Sequence, residues 1–194
     1  MPDGAHGDIK PQNVFISTCP HGKVVAKMAD FGHSFLPHAG DENVLFRPAK
    51  SWPWYAPEYH HRGFPIAQGQ KQDAYSFGML CFWVVFYEEL LAEAQNILDR
   101  KGVSSSAPEQ NRHVYTLLEN WKREGNLEAI ALKKVTARFS HLEKDILTQL
   151  FQFTLACDPE KRGESFMKFE CLLKPVEPER YTLTTSAINT AYEI

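Results

Sequence analysis

The sequence predicts an α+β domain that is mainly α-helical, with one small β-hairpin near its start. Three observations carry this. Two short apolar runs flank a cluster of turn residues between positions 14 and 28. A nearly unbroken apolar stretch over residues 73–89 has the composition of a buried helix. Residues 114–121, 127–135 and 141–156 then place apolar side chains at helical spacing. With 194 residues, 43% hydrophobic and 23% charged, the chain suits one globular domain with a substantial core.

In chain order, Val14-Phe15-Ile16 and residues 23–28 are the two arms of the hairpin, and residues 17–22 (Ser-Thr-Cys-Pro-His-Gly) are its turn. The hairpin has a use: it carries Asn13 at one end and Asp30 at the other, so two distant residues meet on one side. Residues 33–57 are irregular, because Pro37, Gly40, Pro48, Pro53 and Pro57 forbid a long helix or a central strand. Trp52 and Trp54 in this loop either pack locally or form a peptide-docking surface. The helix over 73–89 is expected to begin with Asp73 as its N-cap. Its aromatic set, Phe77, Phe82, Trp83 and Phe86, belongs to the core. Residues 102–111 form a polar connector, and the helix over 141–156 ends near Asp158-Pro159. Residues 1–175 make up the domain, and 176–194, rich in Pro, Glu, Thr and Ser, a weakly ordered tail.

Several function classes are disfavoured. Lys and Arg number 21 against 24 Asp and Glu, a net charge of −3, which leaves no footprint for nucleic acid or an anionic membrane. Cys19, Cys81, Cys157 and Cys171 are widely separated without a C-x-x-C pair, which argues against a zinc site or a disulfide framework and fits a reducing compartment. No secretory signal is expected at the start, and the longest uncharged stretch, residues 74–87, falls short of the roughly 20 residues a bilayer needs. An intracellular location, cytoplasmic or nuclear, is expected.

The chemistry concentrates in residues 6–13, His-Gly-Asp-Ile-Lys-Pro-Gln-Asn, and in Asp30-Phe31-Gly32. Asn13 and Asp30 can supply hard oxygen ligands to Mg²⁺. Lys10 can neutralise a phosphate, and Asp8 can take or orient a hydroxyl proton. His6 reads as a packing residue beneath the site. Asp and Asn also favour ordinary turns, so each residue alone says little.

Taken together, these stretches resemble the eukaryotic protein kinases, specifically their large C-terminal lobe. Residues 6–13 look like the catalytic loop, and Asp30-Phe31-Gly32 looks like the metal-binding DFG triplet. Ala56-Pro57-Glu58 is similar to the APE end of the activation segment. Residues 73–78 (Asp-Ala-Tyr-Ser-Phe-Gly) look like the start of the family's central helix, and residues 158–162 (Asp-Pro-Glu-Lys-Arg) like its D-P-x-x-R element. The resemblance implies a protein-kinase-like C-lobe with the hairpin at the catalytic loop, ATP and Mg²⁺ as cofactors, and a protein substrate or partner. It implies Asp8 as the base and Lys10 as the residue steadying the transferring phosphoryl group, with Asn13 and Asp30 on Mg²⁺. Phe31 and Gly32 complete the triplet. Lys10 followed by Pro11 resembles the serine/threonine branch, in which Ser51 would contact Asp8 and Lys10. Arg162 would pair with Glu58, and Asp73 would accept hydrogen bonds from the catalytic loop.

Two departures from the family pattern bear on function. Gly7 replaces the arginine that normally receives an activation-segment phosphate, so that switch would lose its receptor. The catalytic-loop motif also opens at His6, so no glycine-rich loop, no V-A-I-K-type lysine and no N-terminal lobe are among these residues. A truncated chain, inactive in isolation, is the expectation, because positioning of the nucleotide is most of phosphoryl-transfer catalysis. A non-catalytic, kinase-like binding or scaffold module is the alternative, in which part of the apolar face of the helix over 73–89 would lie exposed. A small-molecule kinase of the aminoglycoside phosphotransferase type shares the H-G-D loop, but Lys10-Pro11, Phe31-Gly32 and Ala56-Pro57-Glu58 point away from it.

Overall fold

The computed structural model describes residues 4–19, 22–36, 44–59, 62–100, 102 and 107–163. Strand β1 (Val14–Thr18) pairs antiparallel with β2 (Val24–Met28), in a register that sets Val14 opposite Met28 and Thr18 opposite Val24. The expected hairpin is present, and both its arms are β-branched-rich and short. Five helices follow among the described residues: α1 (Ile66–Val85), α2 (Tyr87–Arg100), α3 (Ala107–Arg123), α4 (Leu127–Arg138) and α5 (His141–Thr154). The fold is therefore mostly helical with one small two-stranded sheet. None of these helices is long and apolar enough to cross a membrane.

Helix α1 is the centre of the core. Tyr75, Met79, Phe82, Trp83 and, just beyond its end, Phe86 are buried among Val114 and Leu118 of α3, Leu127, Ala131 and Val135 of α4, and Phe151 of α5. Phe82 meets Phe151 edge-on at 5.7 Å between centroids and Phe86 at 5.3 Å. Such aromatic pairs contribute about 0.5–1.5 kcal/mol each beyond the area they bury. The α1–α5 crossing is close because residue 78 is glycine: a Cβ there would overlap Thr154 Oγ1 and lie 2.9 Å from Leu155 Cδ2. α1 thus becomes a rigid post, and its N-terminal half reaches the loop at residues 6–8.

The structure corrects three sequence expectations. The central helix begins at Ile66, directly after Pro65, and Asp73 lies in its interior instead of at its N-cap. The polar composition of residues 67–72 hid this start, while Pro65 is the signal that marks it. The helix also stops at Val85; Phe86, at φ −115° and ψ 21°, breaks it, and α2 continues from Tyr87. That second helix follows from Leu90, Ala94 and Leu98, which recur at i, i+4 and i+8 and are all buried. Glu88 and Glu89 in its first turn and Arg100 in its last complement the helix dipole. Finally, the connector read over 102–111 is helical from Ala107 onward.

The apolar face expected to be exposed on the central helix is confined, among large side chains of α1, to Val84, which is 60% exposed. Trp54 and Trp52 part company: Trp54 is buried against Trp83 and Tyr115, whereas Trp52 is 42% exposed and touches Tyr115 at its edge. Cys19, Cys81 and Cys157 are free thiols. The tail over 176–194 and Cys171 lie outside the described residues.

Candidate functional site

The loop that precedes the hairpin is held from below by Asp73. Its carboxylate accepts the backbone N–H of Gly7 at 2.9 Å and that of His6. Burial pushes this carboxyl up to about 6, while the two backbone N–H groups and the neighbouring His6 pull in the opposite direction. A buried aspartate inside a helix therefore fixes the loop of a sequence-distant segment. His6 ties the same loop sideways. Its Nδ1 accepts the N–H of Asp8 at 3.3 Å, and its Nε2 lies 3.0 Å from the Ala29 carbonyl, which assigns the ring proton to Nε2. Its ring packs on Phe31 at 5.0 Å. His6 thereby links the loop to the two residues that flank Asp30.

Above this support, four polar side chains converge. The buried Asp8 carboxylate accepts the Ser51 hydroxyl at 2.5 Å, pairs with Lys10 Nζ at 2.8 Å and accepts Asn13 Nδ2 at 3.1 Å. Lys10 Nζ also donates to Ser51 Oγ at 3.1 Å, and Asn13 Nδ2 donates to the Asp8 carbonyl at 2.8 Å. Burial alone would raise the Asp8 carboxyl; the hydrogen bonds from Lys10, Ser51 and Asn13, with the Lys10 charge, outweigh it and hold the group below its ordinary value. At neutral pH Asp8 is a carboxylate, able to accept a proton or orient a hydroxyl.

The hairpin returns the backbone just before Asp30 to Asn13. The Ala29 N–H donates to the Asn13 carbonyl at 2.9 Å, which extends the ladder by one step beyond the Val14–Met28 pair. Asp30 has φ 59°, in the left-handed region where aspartate is tolerated because its side chain bonds locally; Oδ1 accepts the N–H of Gly32 at 3.3 Å. The carboxylate is exposed, as are Phe31 and Gly32. Among the described residues no group of three or more His, Cys, Asp or Glu side chains forms a ready metal cage. Asn13 spends its amide N–H on Asp8, which leaves Oδ1 as a hard oxygen, and Asp30 adds an exposed carboxylate. Each is the kind of hard oxygen that Mg²⁺ takes.

A second cluster pins the segment that carries Ser51. Arg162 is fully buried and grips Glu58 with both ends of its guanidinium, at 2.6 Å and 2.9 Å. Its remaining N–H groups reach the carbonyls of Ala156, Lys71 and Cys157, and its plane lies 4.6 Å from the Tyr75 ring centroid. Every donor of the buried cation is thus matched, the condition under which such a pair is tolerated.

Sequence reading missed Phe46. Its ring, 3% exposed, fills the space above Gly7 and against Gly69. Gly7 has φ +80°, and a Cβ on it would lie 2.6 Å from both the Phe46 Cζ and the His33 carbonyl oxygen. Backbone pairing of Phe46 with Phe64, and an Ala49 N–H to Gly7 carbonyl bond of 2.8 Å, complete the anchorage. Only the apolar triplet Val44-Leu45-Phe46, between the polar Asp41-Glu42-Asn43 and Arg47, hinted at this. Between His33 and Ser51 the hydroxyl side chains are Ser34 and Ser51, and both are engaged: Ser34 Oγ donates to the His6 carbonyl at 3.0 Å. An aromatic plug therefore stands where any side chain at residue 7 would project.

Comparison with known proteins shows the family. Residues 4–184 match the protein kinase domain family. A leucine-rich repeat receptor-like serine/threonine-protein kinase of Arabidopsis thaliana is 28% identical over 161 residues, 82% of this chain and 16% of that protein. A receptor-like protein kinase of the same plant is 31% identical over 125 residues, which is 64% of this chain and 12% of the relative. A further receptor-like serine/threonine-protein kinase with leucine-rich repeats is 35% identical over 80 residues, 41% of this chain and 7% of its own length. The chain spans less than a fifth of the length of these curated relatives. With the family match running through most of its residues, the chain belongs to the eukaryotic protein kinases.

Proposed function

We propose that this chain is the C-terminal lobe of a serine/threonine protein kinase domain and carries the phosphoacceptor side of its site. The observation behind this reading is the convergence of Lys10, Ser51 and Asn13 on one buried, ionised Asp8. In the proposed roles, Asp8 orients the hydroxyl of a protein serine or threonine and takes its proton. Lys10, with its ammonium 2.8 Å from Asp8, neutralises charge on the transferring phosphoryl group. Asn13 and Asp30 would hold Mg²⁺, which would supply charge neutralisation for the phosphates of ATP. Ser51 couples the segment that lines the substrate side to the base, and the Glu58–Arg162 pair holds that segment on the helical core. The glycine-rich loop and lysine-bearing strand that position ATP in this family are not among these 194 residues, so phosphotransfer by the chain alone is expected to be undetectable.

Paramagnetic broadening with Mn²⁺-ATP tests the reading at the weak affinity expected. Backbone resonances around Asn13 and Asp30 should broaden selectively, and Asp30→Ala should abolish the effect. Uniform broadening, or broadening indifferent to Asp30, would contradict the assignment. A radiolabelled-ATP assay complements it: turnover by the 194-residue chain that disappears in Asp30→Ala would uphold the kinase reading and overturn the expected inactivity.

A further inference from the structure

Beside the site, a cavity of about 440 Å³ opens between the segment that follows Ser51 and the C-terminal turn of α3. Its inner wall is charged but neutralised. Lys122, buried, donates to the carbonyls of Pro53 at 2.6 Å and Tyr55 at 3.0 Å, pairs with Glu119 at 2.7 Å, and sits 3.7 Å from the Tyr55 ring centroid. The Tyr55 hydroxyl donates to the other Glu119 oxygen at 3.0 Å. Glu119 is thereby committed on both oxygens to partners inside the wall.

The rim differs. Lys50 and Arg123 are exposed and form no ion pair among the described residues. Lys50 Nζ lies 5.8 Å from the centroids of both Tyr55 and Tyr59, whose rings meet at 5.5 Å. The lining thus holds Lys50, Lys122 and Arg123 against Glu119 alone, so positive charge is in excess within a chain whose net charge is −3. Two cations without a carboxylate partner, one of them over a tyrosine pair, attract an anion and discourage a cation.

The position ties this cavity to the reacting hydroxyl. Lys50 is bonded to Ser51, which touches Asp8 at 2.5 Å and Lys10 at 3.1 Å. Tyr55 also forms a wall of the small cleft that contains Asp8 and Ser51. An extended peptide advances about 3.3 Å per residue, so one laid across Asp8 can place a side chain at this rim within a few residues of its hydroxyl.

We propose that this cavity selects an anionic side chain, a carboxylate or a phosphate, near the serine or threonine presented to Asp8. The proposal rests on the phosphoacceptor reading above and names its substrate class: acidic or already phosphorylated protein segments. Fluorescence anisotropy of three short labelled peptides tests it on the 194-residue chain. The peptides share one serine and differ only at the flanking positions, which hold Glu, phosphoserine or Gln. At least one anionic peptide should bind about tenfold or more tightly than the Gln peptide at low salt, and the stronger of the two identifies carboxylate or phosphate as the source. Added salt should compress the preference. Lys50→Ala combined with Arg123→Ala should erase it without lowering the melting temperature, because both side chains are exposed. Equal binding of all three peptides, or a preference that persists in the double variant, would overturn the proposal. No nucleotide is present, so a failed charge preference with Asp30-dependent Mn²⁺-ATP broadening intact rejects the cavity alone. The reverse outcome rejects the metal and phosphoacceptor roles proposed for Asp8, Asn13 and Asp30 and leaves an anion-selective protein-binding site.

Discussion

Gly7 and Phe46 offer the sharpest quantitative test of how the segment carrying Ser51 is held. Introducing a Cβ by Gly7→Ala meets two costs. The backbone stays at φ +80°, where an L side chain costs about 1–2 kcal/mol. The new atom would also lie 2.6 Å from the Phe46 ring and from the His33 carbonyl oxygen, an overpacking worth about 1–3 kcal/mol. The sum, about 2–5 kcal/mol, corresponds to a melting temperature lower by about 4–20 °C for a domain of this size. Phe46→Ala alone should cost about 3–5 kcal/mol, since it empties a buried ring site. In the double variant the ring clash disappears while the His33 carbonyl remains. The combined loss should therefore fall short of additivity by about 0.5–3 kcal/mol. Urea unfolding of the four proteins measures each term. An unchanged midpoint for Gly7→Ala, or strict additivity in the double variant, would refute the reasoning. Gly7→Arg should destabilise at least as much as Gly7→Ala, and so fail to restore a phosphate receptor.

Three further outcomes are expected. Ser51→Ala removes the hydroxyl that donates to Asp8, so the Asp8 carboxyl should titrate at higher pH by carbon-detected NMR, while Ser51→Thr should leave it low; an unmoved titration in the alanine variant would exclude Ser51 as a partner in solution. Glu58→Ala strands the fully buried Arg162, and because Glu58 is itself 26% exposed, the loss should fall near the low end of about 3–5 kcal/mol. Arg162→Lys should not rescue stability, since an ammonium cannot span both Glu58 oxygens and three carbonyls; near-normal unfolding of that variant would contradict it. Asp73, raised by burial to about 6 in the folded chain, keeps its proton over a window in which the unfolded chain has released it. Its contribution is therefore present below the ordinary carboxylate value and is lost as pH rises towards 6, by on the order of 3 kcal/mol. Asp8 acts in the opposite sense, contributing above the ordinary carboxylate value and losing its contribution as pH falls through its lowered one. Stability of the parent relative to Asp73→Asn should decline from about pH 4 to 6 and then level off; a flat difference profile would show that Asp73 is ionised throughout.

The sequence by itself determined the local and the chemical parts of this protein. The hairpin was legible because two β-branched runs flank a turn cluster, and that reading needs only neighbours in the chain. The polar cluster was partly legible because Asp8, Lys10 and Asn13, which the fold bonds together, lie within six residues of one another in the chain. Tertiary structure decided what depends on contacts between distant segments. Asp73 reads as an N-cap from its place before an apolar run. In the fold it sits inside α1, and its carboxylate serves backbone N–H groups at residues 6 and 7. Phe46 reads as an unremarked loop residue, yet the absence of side chains at Gly7 and Gly69 makes room for its ring, a complementarity no periodicity encodes. Trp52 and Trp54 cannot be told apart by composition, but only Trp54 meets Trp83 of the central helix. The cavity at Lys50 and Arg123 is the same kind of fact. Its charge balance follows from Lys122 and Glu119 cancelling inside the wall, and pairings of that kind are set by packing across the whole domain.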